Sequence, residues 1–160
     1  MLLNSNPFVA MFHPGYIRLT IEDYSEEDIE NETNLIVHLT NNCFQNKHKL
    51  YKERKEDTIG RWDLIVKEIG LEATKQLKHK IKKIMIAVLG AANRKLIKKK
   101  GTYELLGFDI LVDHNLQPYL LEVNTNPAMF TDTQVQKELL PPLMRNTLKV
   151  VLNLFEPQST

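Results

Sequence analysis

A chain of 160 residues, 42% hydrophobic and 26% charged, is long enough for one domain with a real core. Its net charge of +1 gives no overall pull towards a polyanion, and its single cysteine, Cys43, excludes an internal disulfide and suits a reducing compartment. No apolar run reaches the length of a membrane span, and the opening MLLNSNPFVAMF lacks the features of a secretory signal, so a cytoplasmic protein without nucleic-acid or membrane partners is expected.

In chain order, NPFVAMFHPGYIRLT reads as two strands, about 8–13 and 16–20, around a Pro14-Gly15 turn. A hairpin at the very first residues suits either a domain fragment or the opening of a small protein. Residues 22–34, EDYSEEDIENETN, form an acidic polar connector. LIVHLT (35–40) is short and rich in β-branched residues, and so reads as a strand. NNCFQNKHKLYKERKEDTIG follows as polar irregular chain, with Cys43 expected as a buried, inert thiol. RWDLIVKEIG is a short helix stopped by Gly70.

From Glu72 to about Lys98 runs the clearest helical signal. Leu77, Ile81, Ile84, Val88, Ala92 and Leu96 recur at steps of three or four, which places them on one face. Lys75, Lys78, Lys80, Lys82, Lys83, Arg94, Lys95 and Lys98 occupy other positions, and Glu72 is the sole acid, at the end where the helix dipole favours it. Such a face either meets an anionic partner or is simply solvated. Two strands, 103–112 and 118–124, come next. A C-terminal helical region follows, capped by Thr131 or Asp132 and broken at Pro141-Pro142.

LLEVNTNP (120–127) sets Glu122 in an apolar run, where a buried carboxylate needs something against it. With a turn over His114–Gln117, Asp113 faces Pro118, Leu111 faces Leu120 and Asp109 faces Glu122. Directly opposite Cβ atoms lie about 5 Å apart. Asn124 then shares the face of Glu122, while Phe108, Ile110, Val112, Tyr119, Leu121 and Val123 form an apolar face for the core. Opposed like charges need a proton, a shared cation or a basic neighbour. Two carboxylates and an amide oxygen suit Mg²⁺; a lysine from elsewhere would neutralise the pair equally well.

GFDILVD…YLLEVNTNPA resembles the C-terminal signature of the ATP-grasp fold as used by the tubulin–tyrosine ligase-like family. GYIRLT and VHLTNNCFQNK, upstream and in order, are similar to the same family's blocks, and the likeness runs from about residue 8 to residue 155. Within the family, YKERKEDTI and LLEVNTNPAMFTDTQVQKELLPPLM look closest to the polyglycylase branch. The resemblance implies an α/β (α+β) fold, the C-terminal portion of an ATP-grasp domain with antiparallel sheet packed with helices. It implies that residues 1–160 are a partial domain lacking the N-terminal half with its phosphate lysines and adenine hinge, so that catalysis by this part alone is not expected.

The resemblance also implies an ATP-dependent carboxylate–amine ligase in which Asp109, Glu122 and Asn124 hold Mg²⁺ against the ATP phosphates, Asp109 and Glu122 being the catalytic pair. Thr40 and Asn41 would contact the nucleotide, with His38 supporting their segment. Arg18 would meet the carboxylate of the incoming amino acid, a role its forked guanidinium suits. Asn42 and Cys43 stand where many members carry an aromatic and a small hydroxyl residue, and Asn42 is placed in the substrate pocket. The implied partners are a free amino acid, glycine or glutamate, and an acidic protein tail, that of tubulin, in the cytoskeleton or the cilium. A tubulin-binding module without catalysis, and a different ATP-grasp ligase, are the alternative readings.

Overall fold

The computed structural model describes residues 1–3, 9–24, 34–96, 99 and 102–155. In chain order come β1 (Leu2–Leu3), β2 (Val9–Ala10), β3 (Ile17–Arg18), a 3-10 turn over Asn34–Val37, α1 (Asn42–Gln45) and α2 (Tyr51–Arg54). A second 3-10 turn over Lys55–Thr58 leads to β4 (Ile59–Gly60), α3 (Trp62–Ile69) and α4 (Leu71–Ala92). Then come β5 (Tyr103–Glu104), β6 (Gly107–Val112), β7 (Pro118–Asn124) and α5 (Gln134–Phe155). This mixture of helices and small antiparallel sheets matches the expected α+β class. The chain groups into two units: unit 1 is Met1–Pro14, Val66–Met129 and Pro142–Thr160, and unit 2 is Gly15–Ile65 and Phe130–Pro141.

Unit 1 is built around α4. Its predicted apolar face is the one that turns inward: Leu77 and Ile81 are buried and Ile84, Val88 and Ala92 half-buried. Gly70, at φ +82°, supplies the left-handed residue that closes α3, donating its N–H to the Val66 carbonyl at 2.9 Å. The helix stops at Ala92 rather than near Lys98, and Lys98 lies outside the described residues. α4 packs on β7, and Lys80 Nζ donates to the Leu116 carbonyl at 3.0 Å, tying the helix to the turn of the β6–β7 hairpin.

The expected hairpin around Pro14-Gly15 does not form. β2 pairs with β1, which also pairs with β5, whereas β3 pairs with β4 through Ile17↔Gly60 and Arg18↔Ile59. Gly15 has φ +70°, but there the chain passes from one unit to the other instead of turning back on itself. Most of the acidic stretch 22–34 lies outside the described residues.

LIVHLT is not a strand: Asn34–Val37 is a 3-10 turn. The reason is visible in unit 2, where Gln45 Nε2 donates to both the Ile36 and Leu39 carbonyls, at 2.7 and 2.6 Å. In an extended strand, carbonyls three residues apart point to opposite sides, so this double contact requires a folded backbone. The polar stretch after it is not irregular either, but forms α1, α2, a 3-10 turn and β4.

α5 runs unbroken through Pro141-Pro142, against expectation. Leu140 before the prolines and Thr147 after them are both buried, and this packing outweighs the two missing N–H donors. The boundary between the units falls between the two prolines. The helix starts one or two residues later than expected, with Thr133 rather than Thr131 or Asp132 at its cap. Thr133 Oγ1 accepts from the Gln136 N–H at 3.4 Å, and Gln136 Oε1 accepts from the Thr133 N–H at 3.1 Å, a reciprocal capping box. Glu56 Oε2 takes the exposed N–H of Gln134 at 2.8 Å, satisfying one more of the first-turn donors.

Candidate functional site

Asp109 does face Glu122, by a route other than the expected one. The turn is one residue shorter: Asp113 N–H donates to the Gln117 carbonyl at 3.1 Å, and the loop is His114–Leu116, with Leu116 at φ +57°. This shifts the near half of the hairpin, which pairs Val112↔Pro118, Leu111↔Tyr119 and Ile110↔Leu120, so neither Asp113↔Pro118 nor Leu111↔Leu120 occurs. A bulge at Leu121 then adds the lost residue back, and Asp109↔Glu122, Phe108↔Val123 and Gly107↔Asn124 resume the expected register. Asp113 organises the turn. Its Oδ1 accepts from the Gln117 and Asn115 N–H groups at 2.8 and 2.9 Å, and the Gln117 bond first among them holds its carboxyl below the usual aspartate range.

The same bulge corrects the expected apolar face. Phe108, Ile110 and Val123 are half-buried, but Tyr119 and Leu121 are 50% and 64% exposed and Val112 is exposed too, while Pro118 is buried. The extra residue resets the alternation that a uniform strand would keep.

Glu122 is exposed rather than buried, and Asn124 is the group set against it: Asn124 Nδ2 donates to Glu122 Oε1 at 3.2 Å. Asp109 is half-buried on the opposite strand. The far end of the hairpin is held by a close approach of backbone to ring. A Cβ on Gly107 would lie 2.9 Å from the Pro127 Cβ, so the glycine of GFD and the proline of NTNP need one another. Gly107→Ala is expected to destabilise the protein by about 1–3 kcal/mol through overpacking, because a proline ring cannot swing aside. A thermal midpoint within a degree of the unsubstituted chain would show that the contact relaxes without cost.

The remaining predicted residues lie in unit 2. Arg18 is exposed on β3, Thr40 is half-buried, and Asn41 is the N-cap of α1, its Oδ1 accepting from the Cys43 N–H at 2.9 Å. Cys43 is exposed, not buried, because the first turn of α1 turns Gln45 inward and leaves Cys43 on the outer side. Two buried polar atoms here have no hydrogen-bond partner among the described residues, His38 Nε2 and Asn42 Oδ1. The Tyr24 ring stands edge-on to His38, with centroids 5.4 Å apart.

Sequence reasoning misses Gln45, yet it joins these segments. It is fully buried; its Oε1 accepts from the Ile21 N–H at 2.9 Å while its Nε2 holds the Ile36 and Leu39 carbonyls. One side chain thus binds the GYIRLT block to the HLTNN block. The structure therefore collects the predicted residues into two sets, Asp109, Glu122 and Asn124 in unit 1, and Arg18, Thr40, Asn41 and Asn42 in unit 2.

Among the described residues no three His, Cys, Asp or Glu side chains cluster as a metal site. The set in unit 1 instead offers two carboxylates and an amide. With Asn124 Nδ2 turned to Glu122, the amide oxygen and the second carboxylate oxygen remain to meet a cation. An all-oxygen donor set of this kind fits Mg²⁺.

A family model described as the tubulin-tyrosine ligase family matches residues 1–159. The chain belongs to that family. It is 33% identical to Protein polyglycylase TTLL10 of Macaca fascicularis over 95% of its own length and 26% of that protein's. It is 35% identical to Inactive polyglycylase TTLL10 of Homo sapiens, over 94% of the chain and 24% of the relative. Tubulin polyglutamylase ttll6 of Danio rerio is 32% identical over 96% of the chain and 22% of its own length. The chain thus spans about a quarter of the length of these relatives.

Proposed function

We propose that this chain is the metal-holding part of an ATP-dependent protein–amino acid ligase with the ATP-grasp fold, transferring glycine or glutamate to the acidic tail of tubulin. The observation that carries the reading is the pairing of Asp109 with Glu122, with Asn124 on the face of Glu122, inside a tubulin-tyrosine ligase family chain. Asp109, Glu122 and Asn124 would hold Mg²⁺. When bound, the ion neutralises charge developing on phosphoryl oxygens. Thr40 and Asn41 contact the nucleotide, and the exposed guanidinium of Arg18 orients the incoming amino acid by its carboxylate. The γ-phosphate passes to an acceptor carboxylate oxygen, giving an acyl phosphate and ADP. The amine then attacks the acyl carbon, phosphate leaves and the new amide loses a proton. Such a protein works on the cytoskeleton.

One observation favours a second reading, a tubulin-binding module without catalysis: the human relative, 35% identical, is described as inactive. The two are separated by incubating a protein of the relatives' full length that carries this chain with tubulin, ATP, Mg²⁺ and radiolabelled glycine or glutamate. Label in tubulin, matched by ADP release and absent without ATP, is the expected result. Binding to tubulin with no label from either amino acid establishes the second reading instead.

A further inference from the structure

Charge is divided unevenly along the chain. Unit 1 holds 13 Lys and Arg against 7 Asp and Glu, a net +6, and unit 2 holds 8 against 13, a net −5, which together give the chain's +1. Much of the excess in unit 1 lies on the outer side of α4. Lys75, Lys82 and Lys83 are exposed along it, and Arg94 is exposed just beyond its end. Two of these are already held in place, Lys75 by Glu72 at 3.6 Å and Lys82 over the Phe12 ring at 4.8 Å. Side chains fixed beforehand lose less freedom when a partner arrives.

In the middle of this basic stripe stands Ile86, 69% exposed, and one turn on is Gly90, where an added Cβ would meet nothing within 4 Å. Steps of three or four from Lys82 and Lys83 to Ile86 and Gly90 keep these on one side of the helix, and Arg94 follows in the turn beyond Ala92. A merely solvated face has no use for an isoleucine beside a bare glycine between cations. From Lys83 to Gly90 the helix rises about 10 Å, the reach of roughly three residues of extended peptide, and Arg94 lies in the turn just past its end.

We infer that this side of α4 is a docking surface for an acidic peptide that carries one apolar side chain among its carboxylates. The carboxylates meet Lys82, Lys83 and Arg94, and the apolar side chain lies on Ile86 over the gap at Gly90. The inference rests on the ligase reading only for the acidic nature of the partner, and its test involves no turnover, so either can fail alone.

The test is fluorescence anisotropy on the full chain with two labelled seven-residue peptides, six glutamates around a central leucine and six glutamates around a central serine. The leucine peptide is expected to bind several-fold more tightly. Lys83→Glu with Arg94→Glu weakens both peptides about ten-fold, and more salt weakens both. Ile86→Ser brings the leucine peptide down to the serine peptide and leaves the latter unchanged. Circular dichroism confirms that each variant is folded. Equal binding of the two peptides to the natural chain, a leucine preference that survives Ile86→Ser, or affinity untouched by the charge reversals each overturns the inference.

Discussion

In a protein of the relatives' full length that carries this chain, Glu122→Gln is expected to lower the proposed ATP-dependent ligation by about a hundredfold or more while leaving the fold intact. The amide keeps the shape of the side chain and still presents an oxygen to Asn124 Nδ2, the contact that Glu122 makes at 3.2 Å. Its side chain is exposed, so no buried charge or cavity is created. What is lost is one negative charge directly opposite Asp109. Asp109→Asn should lower ligation alike, and for Glu122→Gln the sign of the stability change is informative. Opposed like charges on paired strands destabilise by about 0.2–1 kcal/mol, so with no cation present Glu122→Gln should leave stability unchanged or raise it. A metal site predicts activity lost and stability kept or gained, with Mg²⁺ raising the melting temperature of the natural chain but not of either variant. A structural pair predicts the reverse, and near-normal activity in both variants, with stability lost in Glu122→Gln, would sink the metal reading.

The pairing of Asp109 with Glu122 is legible in the sequence, but only because two departures cancel. Nothing in HNLQ prescribes the shorter loop, since Leu116 is a poor residue for φ +57° and no glycine or asparagine marks the position. The bulge at Leu121 has no glycine either. The hydrophobic period of α4 reads correctly because Leu77, Ile81, Ile84 and Val88 all sit on one face of a long helix. The short segments mislead for a common reason. In LIVHLT the β-branched residues point to a strand, yet two backbone carbonyls are claimed by a side chain six to nine residues ahead, and propensity carries no trace of that. At Pro141-Pro142 the local rule is sound, and packing around Leu140 and Thr147 overrides it. The capping box at Thr133–Gln136 is readable, since T-x-x-Q stands immediately before the helical run.

Gln45→Leu is expected to destabilise unit 2 by about 3–5 kcal/mol, a large share of a domain's usual margin. The side chain is fully buried and makes three hydrogen bonds, from the Ile21 N–H and to the Ile36 and Leu39 carbonyls. Leucine fills the volume but leaves one buried donor and two part-buried acceptors unpaired, and each such group costs about 1–3 kcal/mol where water cannot reach it. Gln45→Glu separates hydrogen bonding from packing. Its carboxylate can still accept from Ile21 but turns an oxygen on two carbonyl oxygens, so it should be no better than leucine at neutral pH. Protonation of the introduced carboxylate restores one donor, so part of the lost stability should return as pH falls. Amide hydrogen exchange localises the effect: Ile21 should lose protection in Gln45→Leu while the interior of α4 keeps its own. Because Leu39 adjoins Thr40 and Ile21 follows Arg18 by three residues, the roles proposed for Thr40 and Arg18 predict that affinity for nucleotide and for amino acid falls together when the leucine variant is made in a protein of the relatives' full length. A melting temperature unchanged within two or three degrees, with Ile21 still protected, would show that these hydrogen bonds are replaced by water at little cost.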